Sequence, residues 1–232
     1  MESKSFSTDD SRRIHDELAR KHSINDYYDK SILPVRWIEQ VRLRIIREMI
    51  AEAPGDRILE IGAGGGHVLR MFPRSHLTAV DVSPVFQETA RANLRGYNVD
   101  FVLGEIDKLE LPAESFDKII CTEVLEHVPE PSSILREIKR LLKPTGRAVV
   151  TVPNDPLINA AKKLVRRTPV GWAIGDRLNW GGDEFHIHQW RPREFEAYLS
   201  GYLRVAERRF APFEWLPVRA CFLAYPCAGN SS

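Results

Sequence analysis

The run Ile58-Leu59-Glu60-Ile61-Gly62-Ala63-Gly64-Gly65-Gly66-His67-Val68-Leu69 constrains this chain more than any other segment. An apolar stretch of strand length ends in four glycines within five positions, and apolar residues then resume. Glycines let the backbone turn through conformations closed to other residues and let a ligand lie against the main chain. If a helix opens after them, its free N–H groups and dipole favour negative or electron-rich ligand groups. A loop of this kind belongs at the strand ends of an open α/β sheet, where ligands bind.

The flanking sequence supplies such a sheet. Residues 57–61, 77–82, 99–103, 116–121 and 147–152 read as strands, separated by segments with helical periodicity. A helix is expected from Gly66 to about Phe72. Another should open at Pro84, with Ser83 as its cap. A third spans 132–142 and ends before Lys143-Pro144-Thr145-Gly146, which reads as a turn. Strand and helix in alternation imply a mainly parallel sheet covered on both faces, with right-handed crossovers. Ahead of this unit, Val35, Ile38, Val41, Ile45, Met49 and Ile50 recur at helical spacing, and Arg42, Arg44, Arg47 and Glu48 suit a solvated face. Beyond Asn154 come an amphipathic helix over 155–167, a Gly- and Trp-rich stretch to Trp190, a short helix over 193–199, and strands over 203–209 and 219–225.

The bulk properties narrow the partners. At 232 residues the chain suits one large α/β domain with a modest cap. The expected division is an N-terminal helical segment, 1–53, contributing to the cap, and a main domain, 54–232, with an insert at about 155–190. A net charge of +1 gives no global field for nucleic acid. Cys121, Cys221 and Cys227 form no metal spacing and read as free thiols of a reducing compartment. The polar start is no secretory signal, and no apolar run has the length to span a bilayer. A cytoplasmic location is therefore expected, with peripheral membrane contact left open.

The glycines fall at Gly62, Gly64 and Gly66 behind the acidic Glu60. A dinucleotide fingerprint would need its third glycine at His67, and Glu60 would repel a pyrophosphate. The pattern resembles the ExGxGxG motif of class I S-adenosylmethionine-dependent methyltransferases, whose cofactor carries no phosphate and has cationic sulfonium and ammonium groups. Further segments resemble the same family in the same order: Ala79-Val80-Asp81-Val82-Ser83, Val102-Leu103-Gly104-Glu105-Ile106, the stretch from Phe116 to Val128, and Leu141-Leu142-Lys143-Pro144-Thr145-Gly146 before a β-branched strand. The resemblance covers about residues 55–155. It implies a Rossmann-like, seven-stranded, mainly parallel sheet with an antiparallel last strand and a small helical and loop cap. It implies S-adenosyl-L-methionine as cofactor, held by Glu60, Gly62, Gly64 and Gly66. Asp81, with Val82, would serve the ribose, Glu105 and Ile106 the adenine, and Cys121 and Thr122 the methionine portion.

Methyl transfer is an in-line displacement in which the protein orients the nucleophile and takes its proton. Glu123, Glu126 and His127 follow the fourth strand, and Glu123 and His127 would share a face if that turn were helical. His186 and His188 form a second pair. Ubiquinone-biosynthesis O-methyltransferases and their small-molecule relatives share the EVLEHV segment. In that resemblance His127 and His186 are the candidate bases, no metal is used, and the acceptor is a small-molecule or lipid-linked hydroxyl compound. Small-RNA terminal 2′-O-methyltransferases offer the alternative, in which Glu123, Glu126, His127 and His186 would hold a divalent ion. A non-catalytic cofactor-binding subunit is a third reading. In the insert, Leu157, Ile158, Ala161, Leu164 and Val165 form an apolar stripe with Lys162, Lys163, Arg166 and Arg167 mostly off it, the pattern of a packed surface helix or a membrane-resting one. Trp172, Trp180 and Trp190 could line an acceptor pocket or staple a loop, and Asp26-Tyr27-Tyr28-Asp29 with Trp37 could cover the cofactor.

Overall fold

The computed structural model describes residues 33–168 and 186–227. Trp172, Trp180 and the segment from Asp26 to Asp29 lie outside the described residues. Seven strands form one sheet: β1 Arg57–Ile61, β2 His76–Asp81, β3 Val99–Leu103, β4 Phe116–Thr122, β5 Leu142–Pro153, β6 Leu203–Phe213 and β7 Leu216–Pro226. Their order is β3-β2-β1-β4-β5-β7-β6. The first five are parallel, and β7 runs antiparallel to both β5 and β6. This is the Rossmann-like sheet with an antiparallel last strand that the resemblance implied.

Among the described residues five helices accompany it: α1 Leu33–Ile50, α2 Pro84–Asn93, α3 Pro131–Leu141, α4 Asp155–Arg166 and α5 Pro192–Leu199. The sheet is buried on both faces because successive side chains point to opposite sides. Ile58, Ile120, Val149 and Cys221 pack with Ile46, Met49 and Ile50 of α1 and with Ala90 of α2. Their neighbours Leu59, Ile119, Val150 and Phe222 pack with Leu135 and Ile138 of α3 and with Phe195 and Leu199 of α5. Ser83 caps α2, its Oγ accepting from the Phe86 N–H at 3.3 Å, and Pro84 occupies the first turn.

Three local readings change. The helix expected after Gly66 is a single 3₁₀ turn, Leu69–Met71. Six residues separate Gly66 from Pro73, and a helix tends to end before a proline. The expected turn at residues 143–146 is part of β5, which begins at Leu142 opposite Phe116 and shifts register before Lys118. Arg42 is buried, not solvated; it pairs with Glu39 one turn earlier at 2.7 Å, and both side chains are 5% exposed or less.

Candidate active site

Every candidate group sits where the parallel strands end. At the end of β1 the backbone takes positive φ at Gly62, Gly64 and Gly66 (+72°, +51° and +74°). The Gly62 and Ala63 N–H groups donate to Val80 O, so the loop folds back over β2. A methyl at Gly62 would lie 2.3 Å from Val124 Cγ2, and one at Gly66 would lie 2.8 Å from Leu94 Cδ1. The glycine loop therefore abuts the segment that follows β4 with no room for a side chain between them.

Two carboxylates flank this loop. Asp81, at the end of β2, accepts from the Gly64 N–H at 2.7 Å and from the Ser83 N–H at 2.9 Å. Glu60 is 1% exposed, and its Oε2 has no hydrogen-bond partner. Burial pushes the Glu60 carboxyl well above the usual carboxylate range; Arg42 pulls it down and Asp81 pushes it further up. A buried acid with an orphaned oxygen is a costly group that a cationic ligand would relieve. Positive-φ glycines, an acid at the end of β2 that holds the loop, and a buried carboxyl with an unpartnered oxygen together fit a sulfonium nucleoside with an ammonium group, so the residues present suit S-adenosylmethionine.

The remaining cofactor candidates divide. Cys121 and Thr122 end β4, both buried, and burial raises the Cys121 thiol, with Glu126 and Glu60 adding to the shift. Cys121 thus lies electrostatically between the cofactor loop and the residues beyond β4. Ile106 is buried in the core. Val82 is half-buried directly after Asp81. The Glu105 carboxylate, in contrast, is engaged by Lys108 at 2.9 Å.

Beyond β4 the chain makes a turn and not a helix: the His127 N–H donates to Val124 O, and Glu123 has φ +55°. Glu123 turns toward Thr151 Oγ1, 2.9 Å away, and Arg219 Nε, 3.1 Å away. Arg219 also reaches Glu39 at 3.3 Å, so an ionic chain runs from α1 through β7 to Glu123. Glu126, His127 and His186 come together with one donor atom from each within 4.8 Å of the others. The two imidazoles meet edge to face at 4.7 Å between centroids. Glu126 is buried with neither carboxylate oxygen hydrogen-bonded. Burial drives its carboxyl well up; Glu123 adds to the rise, Arg219 opposes it and Asp155 adds to it.

Asp155, which sequence reading passed over as a helix-opening acid, accepts from His186 Nδ1 at 2.8 Å. His188 stands apart: its Nε2 donates to Val128 O at 3.1 Å, and its ring stacks on Trp190. Trp190 in turn packs on Phe195 and Tyr198, so this tryptophan staples the segment to the core. The apolar stripe of α4 is not buried among the described residues, and Leu164 is 68% exposed. Trp37, Phe213 and Trp215 form an exposed aromatic ladder at the β6–β7 turn, on this same edge of the sheet.

Comparison with known proteins shows what the chain is similar to. The family described as "Methyltransferase domain" matches residues 59–150. A ubiquinone biosynthesis O-methyltransferase of Xylella fastidiosa (strain 9a5c) is 36% identical over 150 residues, 60% of this chain and 60% of that protein. The chain thus spans about three-fifths of that relative's length. The namesake from Xanthomonas campestris pv. campestris (strain B100) is 33% identical over 187 residues, 75% of this chain and 71% of that one. Among solved structures, the 1,6-didemethyltoxoflavin-N1-methyltransferase of Burkholderia thailandensis, bound to its substrate and S-adenosylhomocysteine, superposes with a TM-score of 0.61. It is 16% identical, covering 98% of this chain and 94% of that one, a likeness of fold. No helix among the described residues is long and apolar enough to cross a membrane.

Proposed function

From the premise that the chain belongs to the S-adenosylmethionine-dependent methyltransferases, we propose that it transfers the cofactor's methyl group to a hydroxyl oxygen of a small-molecule or lipid-linked acceptor. One observation carries the reading: the carboxylate-flanked glycine loop stands directly against the turn that bears Glu126 and His127, with His186 beside them. When bound, the cofactor supplies an electrophilic methyl carbon. Gly62, Gly64 and Gly66 admit it to the backbone, Glu60 attracts its ammonium group, and Asp81 accepts from its ribose. Glu105, paired with Lys108, keeps acceptor capacity for the adenine. His186 takes the acceptor's proton, with His127 beside it completing the polar wall. Two observations support an apolar, lipid-linked acceptor: the uncovered stripe of α4, and the ladder of Trp37, Phe213 and Trp215 on the same edge. The names of the Xylella and Xanthomonas relatives agree with oxygen as the acceptor atom.

A second reading has its own observation. Glu126, His127 and His186 present a carboxylate and two imidazoles at ligand spacing. A divalent cation held there would lower the acceptor hydroxyl's pKa. The ionic engagement of Glu123 reduces the four-residue set of the sequence analysis to three. Calorimetric titration with S-adenosylmethionine and its demethylated product, followed by transfer of labelled methyl to hydroxylated acceptors with and without a chelator, tests both readings. Tight binding of both nucleosides, chelator-insensitive turnover and loss of turnover in His186→Ala are expected. Preference for a pyridine dinucleotide would overturn the first reading, and chelator-sensitive turnover restored by a divalent ion would establish the second.

A further inference from the structure

Three contacts fix His186. The N–H groups of Ile187 and His188 both donate to Glu126 O, at 2.8 and 3.2 Å, tying the segment to the turn after β4. His127 packs on the ring edge to face. Asp155 Oδ1 lies 2.8 Å from His186 Nδ1, and the Asp155 side chain is 1% exposed. Asp155 opens α4, two residues beyond the last residue of β5, so its position is set by the sheet. It is not needed as a cap: Asn154 Oδ1 already accepts from the Leu157 N–H. Its Oδ2 has no hydrogen-bond partner.

We propose that Asp155 is a positioning residue that fixes the tautomer of His186. A carboxylate only accepts, so Nδ1 must carry the proton, and in the neutral ring Nε2 is the nitrogen left with a lone pair. That lone pair is what a base, or a ligand to a cation, must offer beside Glu126 and His127. The inference rests on the methyl-transfer reading for its kinetic consequence but not for its structural one. The role is the one a buried aspartate plays toward the histidine of a hydrolytic triad, where an Asn replacement installs the wrong tautomer and lowers kcat by about 10⁴-fold.

The test pairs spectroscopy with kinetics. In ¹⁵N-histidine-labelled protein, the His186 signals, assigned by their loss in His186→Gln, are expected to show a protonated Nδ1 and an unprotonated Nε2. In Asp155→Asn the side-chain amide can donate to Nδ1, and the proton is expected on Nε2. The same variant should lose about 100-fold or more in kcat while its KM for S-adenosylmethionine stays within about twofold, and Asp155→Glu should recover part of the loss. A wild-type His186 protonated on Nε2 overturns the proposal without recourse to any variant. So does an Asp155→Asn enzyme with wild-type tautomer and kcat. If no acceptor is methylated at all, the functional reading fails, while the tautomer measurement still decides this one.

Discussion

Replacing Gly62 by alanine imposes two separable costs. The first is conformational: φ of +72° lies in the left-handed region, where a Cβ costs about 1–2 kcal/mol. The second is steric: the new methyl would sit 2.3 Å from Val124 Cγ2, a contact that forces Val124 or the loop to move, at about 1–3 kcal/mol. The sum, about 2–5 kcal/mol, is large beside the roughly 5–15 kcal/mol that holds a domain folded. Gly55 supplies the internal control. Its φ is +82°, yet nothing lies within 4 Å of its would-be Cβ, so Gly55→Ala should cost only the first part. For a chain of this size, about 2–4 °C of melting temperature goes with each kcal/mol. Thermal or urea unfolding should therefore place Gly62→Ala well below Gly55→Ala. Removing the obstructing methyl in Gly62→Ala/Val124→Ala should return about 1–3 kcal/mol as a coupling term in the double-mutant cycle. Equal midpoints for the two glycine variants, or a coupling within about 0.5 kcal/mol of zero, would refute the claim that the glycine loop and the Val124 turn are in steric contact.

Three further outcomes are expected. Asp81→Asn should weaken S-adenosylmethionine binding by about 10- to 100-fold by calorimetry, since hydrogen bonds to a charged group are worth about 1.5–3 kcal/mol; an unchanged affinity would remove Asp81 from the site. Glu60 keeps its proton to higher pH when folded than when unfolded, so unfolding releases it. Its contribution to stability is therefore full below the unfolded carboxylate's pKa of about 4.3 and falls as pH rises from there toward the raised folded value. Denaturant midpoints across that range should decline less steeply in Glu60→Gln, and the same variant should bind the cofactor more weakly. Phe195→Ala, which empties a fully buried position between Trp190 and Phe222, should cost about 3–5 kcal/mol in urea unfolding and leave the cofactor affinity of the folded fraction unchanged.

The strand-end geometry of the candidate cofactor residues was legible because it is local. Glu60, the glycines, Asp81 and Ser83 act within a few residues of strand ends that hydrophobic runs mark, and Ser83 caps α2 as its sequence position suggested. What was not legible depends on partners far along the chain. Arg42 looks like a solvated helix residue until β7 brings Arg219 to Glu39. Asp155 looks like an ordinary acid at a helix start until His186, across the insert, closes on it. Lys143-Pro144-Thr145-Gly146 carries turn residues, yet pairing with β4 across a register shift draws it into a strand. The i, i+4 spacing of Glu123 and His127 would put them on a shared face only in a helix, and the positive φ at Glu123 makes the segment a turn instead. A signal for Asp155 was present: Asn154 already answers the helix's need for a cap, which leaves the neighbouring buried acid without a local purpose.

The place of β7 has a consequence for assembly on the ribosome. It is the last strand among the described residues, yet it is inserted between β5 and β6. While residues up to 213 have emerged, β6 has no partner in the sheet and β5 keeps an open edge, the kind of surface that invites wrong pairing. Arg219 arrives with β7, so Glu123 receives its guanidinium only after that strand has emerged. The nascent chain can thus shape its glycine loop early, from residues already in place, whereas the ion pair that holds Glu123 must wait for the β6–β7 hairpin.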